Sequence, residues 1–189
     1  MKREVEYFEK GGPECTQTCL KIVERLVGEG YKNVVVASTS GETGLRFAEG
    51  LPDKGINLVV VTHSAGFKKP NELEIPEEIR KRITALGAKV YTGTILTHSL
   101  ETALTNEHQG IYPTLLITQT LRRFSQGVKV AVEIVMEACD AGMLPEGEEI
   151  IAVGGTGRGA DTVCLIKSAV SKRFLDLKVL EILAKPRGK

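Results

Sequence analysis

The residues best suited to chemistry fall in four clusters of Gly, Ser, Thr and His, each just after a short apolar run that reads as a β-strand. They are Ser38-Thr-Ser-Gly-Glu-Thr-Gly44, Thr62-His-Ser-Ala-Gly66, Thr92-Gly-Thr94 with Thr97-His-Ser99, and Gly154-Gly-Thr-Gly-Arg-Gly-Ala-Asp-Thr162. Loops that follow parallel strands gather at the carboxyl edge of an open α/β sheet, where ligands bind. Small hydroxyl and amide donors converging there suit a phosphate-bearing small molecule.

Ser38 to Thr43 lies between a strand and a helix start. Free N–H groups at a helix N-terminus favour phosphate, and the positive end of the dipole adds to them. Ser38, Thr39, Ser40 and Thr43 contribute hydroxyls, while Gly41 lets the backbone approach closely. An alternative reading is a capping box of Thr39 with Glu42, whose side chains would satisfy the same N–H groups. Gly154 to Thr162 adds Arg158, which can fork onto phosphate oxygens. Gly155-x-Gly157-x-x-Ala160 matches a dinucleotide fingerprint, but only 29 residues follow Ala160 and the fingerprint belongs to a first strand. No G-x-x-x-x-G-K-[ST] is present, which argues against a Walker-type hydrolase. His63 and His98 are candidate ligand contacts or proton donors. Asp161 is close enough in sequence to pair with Arg158. No catalytic constellation stands out; Ser64 lacks a G-x-S-x-G context.

These loops need strands and helices to position them. Val34 to Ala37 and Leu58 to Val61 are unbroken β-branched runs, as in strands covered on both faces. Lys89 to Tyr91 and Ile150 to Val153 extend the parallel set, and Glu4 to Phe8 alternates like an edge strand. Helical spacing marks Cys15 to Val27, Leu45 to Leu51, Ile75 to Leu86, His98 to Glu107 and Thr114 to Phe124. Val128 to Met136 fits strand or helix. Glu133 and Glu137, four apart before Gly142, favour a helix. Thr162 to Ser168 and Leu177 to Leu183 are too close for a crossover helix and should pair antiparallel. The expected fold is α/β, a three-layer sandwich on a mostly parallel mixed sheet, as one domain over residues 1–189. Lys185 to Lys189 reads as a solvated tail.

With 25 basic and 24 acidic residues, no overall field draws in nucleic acid or an anionic membrane. Apolar runs fall far short of the roughly 20 residues that span a bilayer, and the N-terminus lacks a signal-peptide core. A cytoplasmic protein is expected, with neither nucleic acid nor membrane as partner and with homo-oligomerisation left open. Cys15 and Cys19 are four apart and Cys139 and Cys164 stand alone, so buried reduced thiols are expected and no metal site.

The chain resembles the C-terminal domain of pyruvate kinases through the strand, the S-x-S-G-x-T turn and the helix around Ser38 to Thr43. The strand ending at Thr62 and the late glycine-rich loop extend that likeness. It is more closely similar to stand-alone archaeal proteins described as pyruvate kinase C-terminal domain-like. The shared pattern comprises Val36 to Thr43, Val60 to Phe67, Lys129 to Ile134, Ala138 to Gly142 and Ala152 to Thr162. Cys15 and the Ser168 to Val170 segment depart from that group's Asn and Pro-Ala-His.

This resemblance implies a pyruvate kinase C-domain-like fold and an association of some members with flavin mononucleotide (FMN). It does not imply kinase activity, since the catalytic barrel of that enzyme is another domain. On this basis the expected function is binding of a phosphorylated small molecule, FMN being the leading candidate cofactor. Its phosphate is expected on Ser38, Thr39, Ser40, Gly41 and Thr43. Its rings are expected between His63, Ser64, Gly66 and Phe67 on one side and Gly154, Gly155, Thr156, Arg158, Gly159, Ala160, Asp161 and Thr162 on the other. A flavin-dependent oxidoreductase and a regulatory partner of a metabolic enzyme are the alternatives.

Overall fold

The computed structural model describes residues 2–51 and 55–188. Seven strands form one sheet: β1 (Glu6–Phe8), β2 (Asn33–Ala37), β3 (Asn57–Thr62), β4 (Lys89–Thr92), β5 (Glu149–Gly154), β6 (Thr162–Lys167) and β7 (Lys178–Pro186). Their spatial order is β1-β7-β6-β5-β2-β3-β4. Strands β5, β2, β3 and β4 run parallel, β6 is antiparallel to both its neighbours, and β1 pairs parallel with β7. The sheet is therefore mostly parallel, with its late strands antiparallel.

Helices cover both faces, and the period-2 alternation of the strands divides the core between them. Val34, Val36, Val60, Ile151 and Val153 pack under α1 (Thr16–Gly28), α2 (Glu42–Gly50) and α3 (Glu77–Ala85). Val35, Val59, Val61, Ile150 and Ala152 face the opposite way, onto α6 (Gln126–Asp140). Helix α6 resolves the ambiguous Val128 segment. Ser125 caps it by accepting the Val128 N–H at 3.0 Å, and most of its circumference is buried, as in a helix surrounded by protein. Two further helices, α4 (Leu100–His108) and α5 (Pro113–Leu121), bury almost nothing, and α5 rests on α6.

One expectation needs correction. Lys185 and Pro186 belong to β7 rather than to a solvated tail. They pair with Tyr7 and Phe8, the Lys185 ammonium lies 5.6 Å from the Tyr7 ring centroid, and the Arg187 N–H donates to the Phe8 carbonyl at 2.8 Å. The edge strand recruits these residues because unpaired strand groups find their partners there. Lys189 lies outside the described residues.

The topology also fixes where a crevice opens. From β2 the chain proceeds through α2 to β3, whereas from β5 it turns the other way into β6. Adjacent parallel strands whose connections diverge in this way leave a gap beyond their carboxyl ends.

Candidate functional site

A cleft of about 640 Å³ occupies that gap. Its walls come from the turn after β2, the loop after β3 and the glycine-rich loop after β5. They include Ser38, Thr39, Ser40, Thr43, His63, Lys68, Lys69, Gly155, Arg158 and Gly159. Three segments distant in sequence thus meet at one sheet edge.

The β2–α2 turn is set by Gly41, which caps α2 at a φ of 84°. A Cβ there would also press on Ile75 and Ile79. The capping box does not form. Glu42 already begins the helix, and the Ser38 hydroxyl instead accepts the Gly44 N–H at 2.9 Å. The N–H groups of Glu42 and Thr43 have no acceptor among the described residues. The turn therefore offers hydroxyls together with two free amides at a helix start, beside the cleft.

On the opposite wall, buried Asp161 accepts the Thr156 N–H at 2.9 Å and the Thr162 hydroxyl at 2.8 Å. It does not pair with Arg158, which has no ion pair among the described residues. Ala160 donates its N–H to Thr16 on α1 at 3.0 Å. Gly154 sits where a Cβ would strike the Gly127 carbonyl, so it permits the close approach of α6 to β5. Gly154, Ala160, Asp161 and Thr162 shape the loop, while Gly155, Arg158 and Gly159 line the cleft. Thr156 turns the loop through its own backbone.

Between these walls, His63 is held at both ring nitrogens. Nδ1 lies 2.7 Å from Glu74, and Nε2 lies 3.3 Å from the Thr39 hydroxyl. Its ring packs on Phe67 with centroids 4.1 Å apart. Burial pushes the Glu74 carboxyl up, but hydrogen bonds from Lys68 and His63 and their charges outweigh it, and its pKa is lowered. Ser64 and Gly66 serve the loop through their backbones: the Ser64 carbonyl accepts from Phe67 and Gly66 donates to Glu72.

Behind the cleft lies a smaller cavity of about 150 Å³, with Ala37, Ser38, Thr39, His63 and Val130 common to both. Phe67, His98, Lys129, Glu133 and Glu137 line it too. The three charged residues stand at successive i, i+4 positions of α6 and are 4%, 5% and 3% exposed. Lys129 pairs with Glu133, which also accepts the Thr97 hydroxyl and, at 2.9 Å, the Thr97 N–H. Burial lowers the Lys129 ammonium pKa even against the Glu133 charge. Burial, reinforced by the Glu133 charge, pushes the Glu137 carboxyl up to about 8. His98 is lowered by burial and by Lys129. Arg122, a donor only, lies 3.2 Å from His98 Nε2, while Nδ1 lies 2.9 Å from the Thr97 hydroxyl and 3.4 Å from the Lys129 ammonium.

The sequence reading did not include Lys129, Glu133 or Glu137 in the site. Three charges on one stripe of an otherwise apolar segment were the available signal. All four cysteines are buried and free. Burial raises the thiol pKa of Cys139 to about 11 and that of Cys164 to about 12, so they behave as core side chains. No helix of the described residues is long and apolar enough to cross a membrane.

Comparison with known proteins gives a family match. The model described as "Pyruvate kinase, alpha/beta domain" matches residues 16–166, which takes in both loops that face each other across the cleft. Among solved structures, a crystal structure of O-ureido-L-serine synthase is 19% identical with a TM-score of 0.30. The match covers 68% of this chain and 39% of that one, and a likeness that low carries no functional weight.

Proposed function

We propose a function for a chain that belongs to the pyruvate kinase alpha/beta domain family: it binds a phosphorylated small molecule in the cleft at the carboxyl edge of its sheet. The carrying observation is the turn after β2, where the free amides of Glu42 and Thr43 join the hydroxyls of Thr39, Ser40 and Thr43. Amides and hydroxyls at a helix start favour a phosphate both by hydrogen bonding and by dipole. Arg158, which has no carboxylate partner among the described residues, supplies a cation from the facing loop. Of the three acidic residues on the wall, Glu74 is engaged by His63 and Lys68 and Glu72 by Lys69 at 3.6 Å, while Glu42, on the turn itself, has no ion pair among the described residues.

FMN is the ligand we favour. The cleft volume lies within the roughly 300–1,000 Å³ usual for small-molecule sites. The hydroxyl and amide donors suit its phosphate, and the His63 ring, on the cleft wall and backed by Phe67, offers a surface against which a planar ring system can pack. A bound flavin would supply redox chemistry. This chain's own residues would anchor the phosphate, orient the ring and, through the Glu74-held His63, keep a polar edge against it.

Titration of FMN and of inorganic phosphate into the wild type and Thr43→Glu tests the assignment. The acidic side chain should weaken both at least tenfold, about 1.4 kcal/mol, with folding checked by thermal melting. Equal affinity in a folded variant would reject this phosphate position. Bleaching of bound flavin by a reduced nicotinamide, with turnover on an acceptor, would add oxidoreductase activity to binding.

One observation favours a second reading, regulatory docking on another protein. Leu100, Ile111 and Leu116, on or between α4 and α5, are 77%, 73% and 57% exposed. Apolar surface of that kind marks interaction sites.

A further inference from the structure

The inner cavity differs from the cleft in one respect that bears on the ligand. Its polar wall is built from side chains almost fully removed from solvent, and one of them is underemployed. Glu137 has a single hydrogen bond, a long one of 3.4 Å from the Leu96 N–H to Oε1, and Oε2 has no partner among the described residues. Glu133, by contrast, is saturated by Lys129 and by the hydroxyl and amide of Thr97. That spare oxygen is not sealed in apolar packing but keeps access to the cavity, where a water or a ligand atom can meet it.

The volume and the charges limit what can enter. About 150 Å³ is on the order of five waters, room for a fragment of a few heavy atoms. A ligand carboxylate would face Glu133 and Glu137. A cation would face Lys129, with Arg122 behind His98. A neutral carbonyl avoids both conflicts and can accept from a carboxylic acid. Because Ser38 and Thr39 border both spaces, a ligand with its phosphate on the β2–α2 turn can extend into the cavity within a few bonds.

We propose that the inner cavity is a subsite for a carbonyl group of the phosphorylated ligand, with the Glu137 carboxyl as its direct hydrogen-bond donor and Lys129 alongside. The proposal rests on the phosphorylated-ligand reading of the outer cleft. Donation requires the protonated acid, and the surroundings of Glu137 supply it. Burial and Glu133 favour the neutral form, Asp140 adds to them, and Lys129 and the Leu96 amide oppose it. The other ionisable groups facing the region are Tyr91 from β4 and His63 and His98 from the loops after β3 and β4. Tyr91 is itself raised by burial and by the Glu137 charge, and His98 is lowered, so near neutral pH neither adds charge.

The experiment compares dihydroxyacetone phosphate with glycerol 3-phosphate, two three-carbon phosphates that differ in one carbonyl, and uses inorganic phosphate as reference. At pH 7 the wild type should prefer the carbonyl compound about tenfold, as one hydrogen bond in a dry site allows. The preference should fade above about pH 8, where Glu137 ionises. Taking the ratio of the two ligands cancels the titration of their phosphates. Glu137→Gln, whose amide donates at any pH, should keep the preference and lose its pH dependence. Glu137→Leu should abolish the preference and leave inorganic phosphate binding unchanged. Equal binding of both compounds at pH 7 with phosphate binding intact overturns the subsite alone, as does a preference that survives Glu137→Leu. Failure of inorganic phosphate to bind the wild type overturns the outer-cleft reading and this one together.

Discussion

The outer rim and the inner wall of this site handle charge in opposite ways. At the rim, Glu74 is partly buried between His63 and Lys68, and its net shift is downward because their hydrogen bonds and charges outweigh burial. On α6, Glu137 is buried beside another carboxylate, and its net shift is upward to about 8. Two glutamates bordering adjacent spaces are thus held in different protonation states by their neighbours. The rim presents an ionised, hydrogen-bonded surface; the inner wall presents a neutral acid.

The largest effect expected from this contrast is on stability. Lys129→Met strands the buried Glu133 carboxylate without its cation and should cost about 3–5 kcal/mol. Removing the exposed partner at the rim with Lys68→Ala should cost less than about 1 kcal/mol. Urea unfolding of both variants measures the difference, and similar losses would mean that the two regions do not differ in this way.

A smaller effect, of opposite sign in the two regions, is expected in the pH dependence of stability. Since Glu137 is raised, the native state keeps a proton that the unfolded chain releases near 4.5. Its contribution is fully present below 4.5 and is lost as pH rises through about 8. Since Glu74 is lowered, its contribution is present above its ordinary value of 4.5 and is lost as pH falls below it. Glu137→Gln should therefore flatten the decline between pH 4.5 and 8. Glu74→Gln should flatten the loss on the acid side. Urea midpoints between pH 3 and 9 distinguish these outcomes, and a wild-type profile unchanged by either substitution would remove the contrast.

The same contrast explains what the sequence made legible. Gly, Ser and Thr after β-branched runs mark strand ends, so the loops at Ser38, His63 and Gly154 could be located from local pattern alone. The shared sheet edge followed from the expectation of parallel strands. Within those loops, sequence could not separate residues that face the cleft from those that build its walls. Asp161 and Gly154 are spent on loop and helix contacts that depend on Thr162 and Gly127, from other elements. Likewise, the spacing of Thr39 and Glu42 suggests a capping box, but with Gly41 as the N-cap at positive φ the helix starts two residues later than that box needs.

The inner wall was harder to read because burial is a tertiary property. Glu133 and Glu137 betrayed helical spacing, yet a charge stripe on a helix usually marks the solvent side. Here the loop carrying Thr97 and His98 bonds onto that stripe and Arg122, just after α5, reaches His98, so only the assembled fold encloses it.

The central claim is that the amides opening α2 receive a phosphate. The most direct measurement is a titration of inorganic phosphate into isotope-labelled protein, followed through the amide resonances of Glu42 and Thr43. Saturable shifts at both, lost in Thr43→Glu, are the predicted result. Phosphate-independent resonances at these two positions in a folded protein would contradict the account.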